Sequence, residues 1–62
     1  MKLIFIGENG SMGLERGKKY DCRIVAELDS NWIWVVAYAD DRVVSRCPYT
    51  SMKKLLDNWF GL

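Results

Sequence analysis

The chain has 62 residues, of which 50% are hydrophobic, and nine Lys and Arg against eight Asp and Glu give a formal net charge of +1. This length accommodates one domain, and the apolar content excludes an intrinsically disordered chain. The near-neutral charge excludes bulk electrostatic attraction as a means of binding a polyanion, and it equally excludes an acidic mimic of DNA.

The first part of the chain predicts two strands joined by a glycine-rich loop. Residues 2–7 form a short, mostly apolar run that predicts a strand. Residues 8–17 contain three glycines and predict a loop, which Leu14 is expected to pin to the core. Residues 18–28 alternate between apolar and polar side chains, which predicts a half-buried strand ending at the turn signal Asp29–Asn31.

The second part predicts two more strands and a helix. Residues 32–39 are aromatic and β-branched on both faces, which favours a central strand. After a turn at Asp40–Asp41, residues 42–47 predict another strand, which Pro48 ends. From Ser51 the apolar spacing becomes helical, with Ser51 or Thr50 as the N-cap and Gly61 after the end. The apolar stripe of this helix, expected to pack on the sheet, comprises Met52, Leu55, Leu56, Trp59 and Phe60.

Turn lengths predict which side chains share a face of the sheet. A two-residue turn at Asp40–Asp41 and a three-residue loop at Asp29–Asn31 place every charged residue of the three strands on one side. We therefore predict that the other side is the buried inner face of the sheet and contains the aromatic side chains of these strands. Its members are Tyr20, Cys22, Ile24, Ala26, Leu28, Trp32, Trp34, Val36, Tyr38, Val43, Ser45 and Cys47.

The charged side of the sheet is the predicted binding surface. Apolar side chains rimmed by arginine are typical of protein contacts, so the expected partner is another protein or a second copy of the chain in a homodimer. The predicted partner-binding residues are Val25, Ile33, Val35, Val44, Arg23, Arg42 and Arg46. The alternative ligand is single-stranded nucleic acid, which would stack on Trp32 and contact Arg42 and Arg46.

The residues predict no catalytic, metal or cofactor site. There is no His to activate a Ser or Cys nucleophile, so we do not expect an enzyme. Cys22 and Cys47 are too few for a zinc site and are expected to be small buried side chains. Gly17–Lys18 lacks the first glycine and the Ser or Thr of a P-loop. The longest apolar run is too short to cross a bilayer, and no signal peptide is recognisable, so we expect a cytoplasmic protein.

Short motifs run through most of the chain, namely Gly13–Leu14, Gly17–Lys18–Lys19–Tyr20, Pro48–Tyr49–Thr50–Ser51–Met52 and Asn58–Trp59. These motifs resemble those of small phage and prophage proteins of unknown function with SH3-like folds. The resemblance implies a single SH3-like domain over residues 1–62, a small antiparallel β-barrel with a short C-terminal α-helix. It also implies an origin in a phage or prophage of a bacterium, but no activity. With that origin, the expected location is the cytoplasm of the host cell, and the partner expected at the charged side of the sheet is a host or phage protein.

Overall fold

The computed structural model describes residues 1–62 and is mainly β, with one antiparallel sheet and one short helix. The strands lie in the order β4-β3-β2-β1-β5, and the sheet is open because β4 and β5 do not pair. The prediction of antiparallel strands followed by a short helix is therefore confirmed. The elements are β1 (Lys2–Phe5), a 3₁₀ turn (Ser11–Gly13), β2 (Lys19–Ala26), β3 (Ile33–Ala39), β4 (Arg42–Tyr49), α1 (Met52–Asn58) and β5 (Trp59–Phe60).

The turn between β3 and β4 has the two residues that the sequence predicts. Ala39 pairs with Arg42, which leaves Asp40 and Asp41 as the connection. Both aspartates have positive φ, 53° and 64°, as a two-residue hairpin of the type I′ class requires. Aspartate tolerates this left-handed conformation better than most side chains, because its short polar group bonds locally. Beyond the turn, β4 continues through Pro48, which is tolerated because β4 is an edge strand.

The helix α1 begins as predicted but ends at Asn58, two residues earlier than expected. The Ser51 side chain caps its start by accepting a hydrogen bond from the Lys54 backbone nitrogen at 3.2 Å. Trp59 is extended and pairs with Phe5, so Phe60 alternates away from the core instead of continuing the helical stripe. No helix of the chain is long and apolar enough to span a bilayer. Leu55 and Trp59 are buried, whereas Met52, Leu56 and Phe60 are exposed by 45%, 47% and 65%, and their predicted burial is wrong.

The core lies on one side of the sheet, beneath α1 and the loop of residues 8–17. Trp59 is at its centre, with edge-to-face contacts to Phe5 at 5.2 Å and Tyr20 at 6.2 Å between ring centroids. Its indole nitrogen donates to the Tyr49 hydroxyl at 3.0 Å, so this buried polar atom is satisfied. Leu14 is fully buried, as predicted. The core residues are Leu3, Phe5, Leu14, Tyr20, Cys22, Val35, Ala37, Cys47, Leu55 and Trp59.

The predicted orientation of β3 is wrong. Val35 and Ala37 are fully buried and Ile33 packs against the core, whereas Trp32 is 42% exposed and Trp34 lies beside it on the opposite side. For β2 and β4 the prediction is correct at their centres, where Tyr20, Cys22, Ser45 and Cys47 are buried and Ile24 packs on the core. At the periphery Ala26 is exposed, Leu28 is fully exposed and Val43 is 38% exposed, against expectation. The prediction therefore inverts β3 between neighbours that are correctly oriented at their centres.

Two one-residue shifts, one on each side of β3, cause this inversion. Ala26 pairs with Ile33 and the Glu27 nitrogen donates to the Trp32 oxygen, so the connection has four residues, 28–31, instead of three. On the other side, Ala37 pairs with Ser45 but Tyr38 pairs with Val43, which leaves Val44 as a β-bulge. Each shift by one residue exchanges the two faces. Because the shifts lie in the loop before β3 and at the bulge within β4, β3 changes sides relative to the prediction, and so do Arg42 and Val43 before the bulge.

Side-chain volume explains why this orientation is preferred. The core side of β2, β3 and β4 presents small residues, namely Cys22, Ala37, Ser45 and Cys47. These leave space for large side chains of the other strands, Phe5 and Trp59, and for Leu14 of the loop and Leu55 of α1. Two indoles on the same side would fill that space and exclude the helix, since interiors are close-packed. The aromatic side of β3 therefore faces away from the core.

Candidate binding face

The sheet carries a contiguous surface on the side opposite the core, which we call the aromatic face. Val25, Val43 and Val44 are exposed by 40%, 38% and 42%, and α1 and the glycine-rich loop pack on the other side of the sheet. Contiguous exposed apolar side chains are the feature by which interaction sites are recognised, and this makes the face the candidate site. Its apolar members are Val25 on β2, Trp32, Trp34, Val36 and Tyr38 on and just before β3, and Val43, Val44 and Pro48 on β4.

Trp32 and Trp34 form an adjacent pair on this face. Their ring centroids are 6.4 Å apart and the rings are tilted by 39°. The Trp34 indole nitrogen donates a hydrogen bond to Glu27, whose carboxylate also accepts from the Ser30 hydroxyl at 3.1 Å. The Trp32 backbone nitrogen donates to the same hydroxyl at 3.2 Å. The loop of residues 28–31 therefore holds the indole pair and the carboxylate together.

Two arginines flank the centre of the aromatic face. Val36 pairs with Arg23 on β2 and with Arg46 on β4, so the two guanidinium groups stand on either side of it in one row. The next row contains Val25, Trp34 and Pro48 and is uncharged. Beyond it lie Glu27 and Trp32. The face thus has an uncharged row between the two arginines and Glu27, and on the far side of the arginines Asp21 pairs with Tyr38.

The predicted partner-binding residues divide between the two sides of the sheet. Arg23, Val25, Val44 and Arg46 lie on the aromatic face and remain candidates. Val35 is 0% exposed and Ile33 packs on the core, so these two cannot contact a partner and the predicted aliphatic strip is not a surface. Arg42 is exposed at the hairpin turn and pairs with Ala39, which places it on the side opposite Tyr38. The predicted strip is therefore corrected to the aromatic face.

For the nucleic-acid alternative, the structure brings together two of the three predicted residues. Trp32 and Arg46 lie on the aromatic face, while Arg42 belongs to the opposite side by strand alternation. Trp34, Val36, Tyr38 and Glu27 are candidates that the sequence interpretation missed, because it oriented β3 inward. The signal that could have found them is the set of small residues on the core side of β3 and β4, which the helix and the loop cover with large side chains.

A shallow depression of about 860 Å³ lies between the N-terminus and the β3–β4 turn. Its walls carry both positively charged side chains and negatively charged carboxylates. Asp21 is 3.4 Å from the Lys2 ammonium and 3.9 Å from the N-terminal ammonium, so these charges neutralise one another. All of these side chains are largely exposed, which screens their interactions. The depression offers a mixed polar surface and does not focus one sign of charge on a ligand.

The two cysteines are free and buried, as predicted. The Cys22 thiol donates to the Tyr20 carbonyl at 3.6 Å, and Cys47 lies 3.3 Å from the Ser45 hydroxyl. Burial raises the pKa of the Cys22 thiol to about 11, which disfavours the reactive thiolate. No cluster of three or more His, Cys, Asp and Glu side chains is positioned to hold a metal ion. The thiols therefore serve as core packing.

Comparisons with protein-family models, with curated proteins and with solved structures found no match to this chain. The resemblance to SH3-like phage proteins stays a prediction that rests on the short motifs alone. Any functional conclusion must therefore come from the geometry of the chain itself.

Proposed function

We propose that the protein is a non-enzymatic binding module that docks another protein on the aromatic face. The observation that carries this proposal is the Trp32–Trp34 pair, in which Trp32 is 42% exposed and Trp34 is half-buried beside it, on a sheet face that no other element of the chain covers. Tryptophan, tyrosine and arginine dominate the energetics of protein interfaces, and all three are present here. A domain of this length has little apolar surface to spare, so indoles left outside the core need another role.

The distribution of charge favours a protein over a polyanion. The apolar row of Val25, Trp34 and Pro48 lies between the arginines and Glu27, which matches an apolar centre with a polar rim. Glu27 holds a carboxylate directly at the Trp34 ring, where a phosphate of a stacked nucleotide would be repelled. A protein partner can satisfy both signs of charge.

A capture experiment with matched variants tests this proposal. Immobilised wild-type protein is exposed to lysate of the cells in which the protein is made, beside Trp32→Ala and Leu56→Ala. The two residues are similarly exposed, 42% and 47%, but Leu56 lies on the helix and away from the face. We expect Trp32→Ala to lose the captured protein and Leu56→Ala to retain it, with about a 30-fold weaker affinity for a hot-spot tryptophan. Equal capture by both variants would refute the proposal.

Single-stranded nucleic acid is the second candidate, and the Trp32–Trp34 pair beside Arg23 and Arg46 is the observation that favours it. Indoles provide stacking platforms for bases, and arginines contact the phosphates. A labelled oligothymidylate titrated into the protein at low salt tests this candidate. Binding that weakens steeply with added salt would support it, and an absence of binding at low salt ends it.

On the motifs described above, we also propose an SH3-like domain of phage or prophage origin that acts in the bacterial cytoplasm. Five short antiparallel strands and a helical turn before the last strand support this fold assignment, and barrel closure between β4 and β5 would complete it. A coding sequence embedded among phage genes would support the origin. A chromosomal location without phage neighbours would count against it.

A further inference from the structure

On the aromatic face, two opposite charges lie at equal distances on either side of Val25 in the β2 segment. Glu27 and Arg23 lie two residues on either side of Val25, which pairs with Trp34 at the middle of the aromatic face. At about 3.4 Å per residue, the Cα atom of each charged residue is about 7 Å from the Cα atom of Val25. On β3, Trp32 and Val36 are likewise two residues on either side of Trp34. A surface with this pattern is complementary to an antiparallel copy of itself.

We propose that the protein docked on the aromatic face is a second copy of this chain, in a two-fold symmetric dimer centred on Trp34. This inference rests on the proposed function, since it names the partner of the same face. The two-fold axis runs along the row of Val25, Trp34 and Pro48. Arg23 of each copy then faces Glu27 of the partner subunit, and Val36 faces the partner's Trp32.

Charge selects this arrangement among the symmetric alternatives. An axis along β3 would place Arg23 against the partner's Arg46, because both arginines pair with Val36. An axis along the row of Val36 would place each arginine against its own copy. Both alternatives oppose like charges, which costs several-fold in affinity or more. Only the axis through the Trp34 row opposes Arg23 and Glu27, twice in the dimer.

The carboxylate that this dimer uses is already held in place. Glu27 is fixed over the face by the bonds from the Trp34 indole and the Ser30 hydroxyl, so it loses little conformational freedom on docking. Its remaining oxygen lone pairs can accept from the partner's guanidinium. Face-to-face sheets pack about 10 Å apart with strands crossing at about 30°, a separation and an angle that long arginine and glutamate side chains can bridge.

The size of the face predicts a weak dimer. Three strands of seven residues cover about 14 Å by about 24 Å, which is below the roughly 800 Å² per partner of a standard stable interface. We therefore expect a monomer–dimer equilibrium that shifts between micromolar and millimolar protein. Because two exposed ion pairs contribute, the dimer should also weaken as salt is added.

Charge reversal tests the proposed arrangement directly. Dimerisation of wild type, Arg23→Glu, Glu27→Arg and the double variant is measured by sedimentation equilibrium at low salt, up to millimolar protein. Each single reversal opposes like charges twice and should weaken the dimer about tenfold or more. The double variant, and an equimolar mixture of the two single variants, restore opposite charges and should recover association. Arg16→Glu and Glu8→Arg, which change the same charges in the glycine-rich loop, should dimerise like wild type.

Several results would overturn the inference. The inference is overturned if wild type stays monomeric at millimolar concentration. It is also overturned if the single reversals leave the dimer unchanged, or if the double variant does not restore it. If Glu27→Arg unfolds the chain by losing the bond from Trp34, Glu27→Gln keeps an acceptor there, and an unweakened dimer of that variant also overturns it. A monomeric wild type whose capture of a different protein still requires Trp32 overturns this inference and leaves the proposed function intact.

Discussion

Trp32 and Trp34 lie side by side on the solvent side of β3, with ring centroids 6.4 Å apart, while the third tryptophan of the chain is buried at the centre of the core. A 62-residue domain has a thin margin of stability, so two of its three indoles outside the core represent a substantial loss of apolar burial. A partner that covers the aromatic face would restore the lost apolar burial. The relationship between the two indoles therefore links the fold to the proposed function.

Fluorescence quenching should separate the tryptophans. Trp59 is 1% exposed, so a variant with Trp32→Phe and Trp34→Phe should show weak quenching by acrylamide. A Trp59→Phe variant, which keeps the exposed pair, should be quenched several-fold more efficiently. Similar quenching of the two variants would contradict the assignment of the aromatic face to solvent.

The thiols should be protected in the folded protein. Cys22 and Cys47 are 5% and 2% exposed, and burial raises the pKa of Cys22 to about 11. Because the thiolate is the reactive form, we expect both cysteines to react with an aromatic disulfide reagent at neutral pH only as fast as the chain opens. Reaction should become rapid in denaturant. Stoichiometric labelling of the native protein within mixing time would count against this packing.

Stability should fall at alkaline pH. Burial raises the pKa of Cys22 from 9.0 to about 11 and that of Tyr49 from 10.0 to about 12, so the folded state holds these protons more tightly than the unfolded state. Their contribution is complete below the unfolded pKa and is lost as pH rises through the folded pKa. The free energy of unfolding, measured by urea titration, should therefore decrease from about pH 9 upward. The decrease should be shallower in Cys22→Ala, and a wild-type profile that is flat up to pH 11 would disprove it.

The helix cap gives a local prediction. Ser51 accepts the Lys54 backbone hydrogen bond at 3.2 Å, and loss of such a cap costs about 1 kcal/mol. Ser51→Ala should therefore lower the free energy of unfolding by about that amount, while Ser51→Asp, which retains an acceptor, should not. Urea unfolding of both variants against wild type measures the difference. Equal losses would show that the side-chain oxygen does not cap the helix.

The sequence predicted much of the secondary structure and one turn in detail. The alternation in residues 18–28 located β2, the Asp40–Asp41 pair gave the hairpin turn, and Ser51 gave the start of α1. These features depend on neighbours in the chain, because alternation, turn residues and caps are local signals. The burial of Leu14 was also predictable, because it is a large aliphatic side chain inside a glycine-rich loop. The burial of both cysteines was predictable because free cysteine behaves as a small apolar side chain.

The orientation of β3 and the position of the binding face were not predictable by the same means. β3 is apolar on both sides, so its own pattern does not identify the inner side. Which side of β3 faces the core then depends on the bulge at Val44 and on a four-residue loop. Neither feature has a local sequence pattern strong enough to fix the register. What fixes the register is the packing of Trp59, Leu55 and Phe5 against small residues, which is a property of the whole fold. The strip predicted at Ile33 and Val35 fails for this reason.

The central claim is that Val25 lies on the open aromatic face while Val35 lies in the core, and an isosteric substitution at each position tests it most directly. Urea unfolding of Val35→Thr should show a loss of about 2 kcal/mol, because the new hydroxyl is buried without a partner. Val25→Thr, at a position 40% exposed, should stay within about 0.5 kcal/mol of wild type. A large loss for Val25→Thr with none for Val35→Thr would show that the face we assign to solvent is the core.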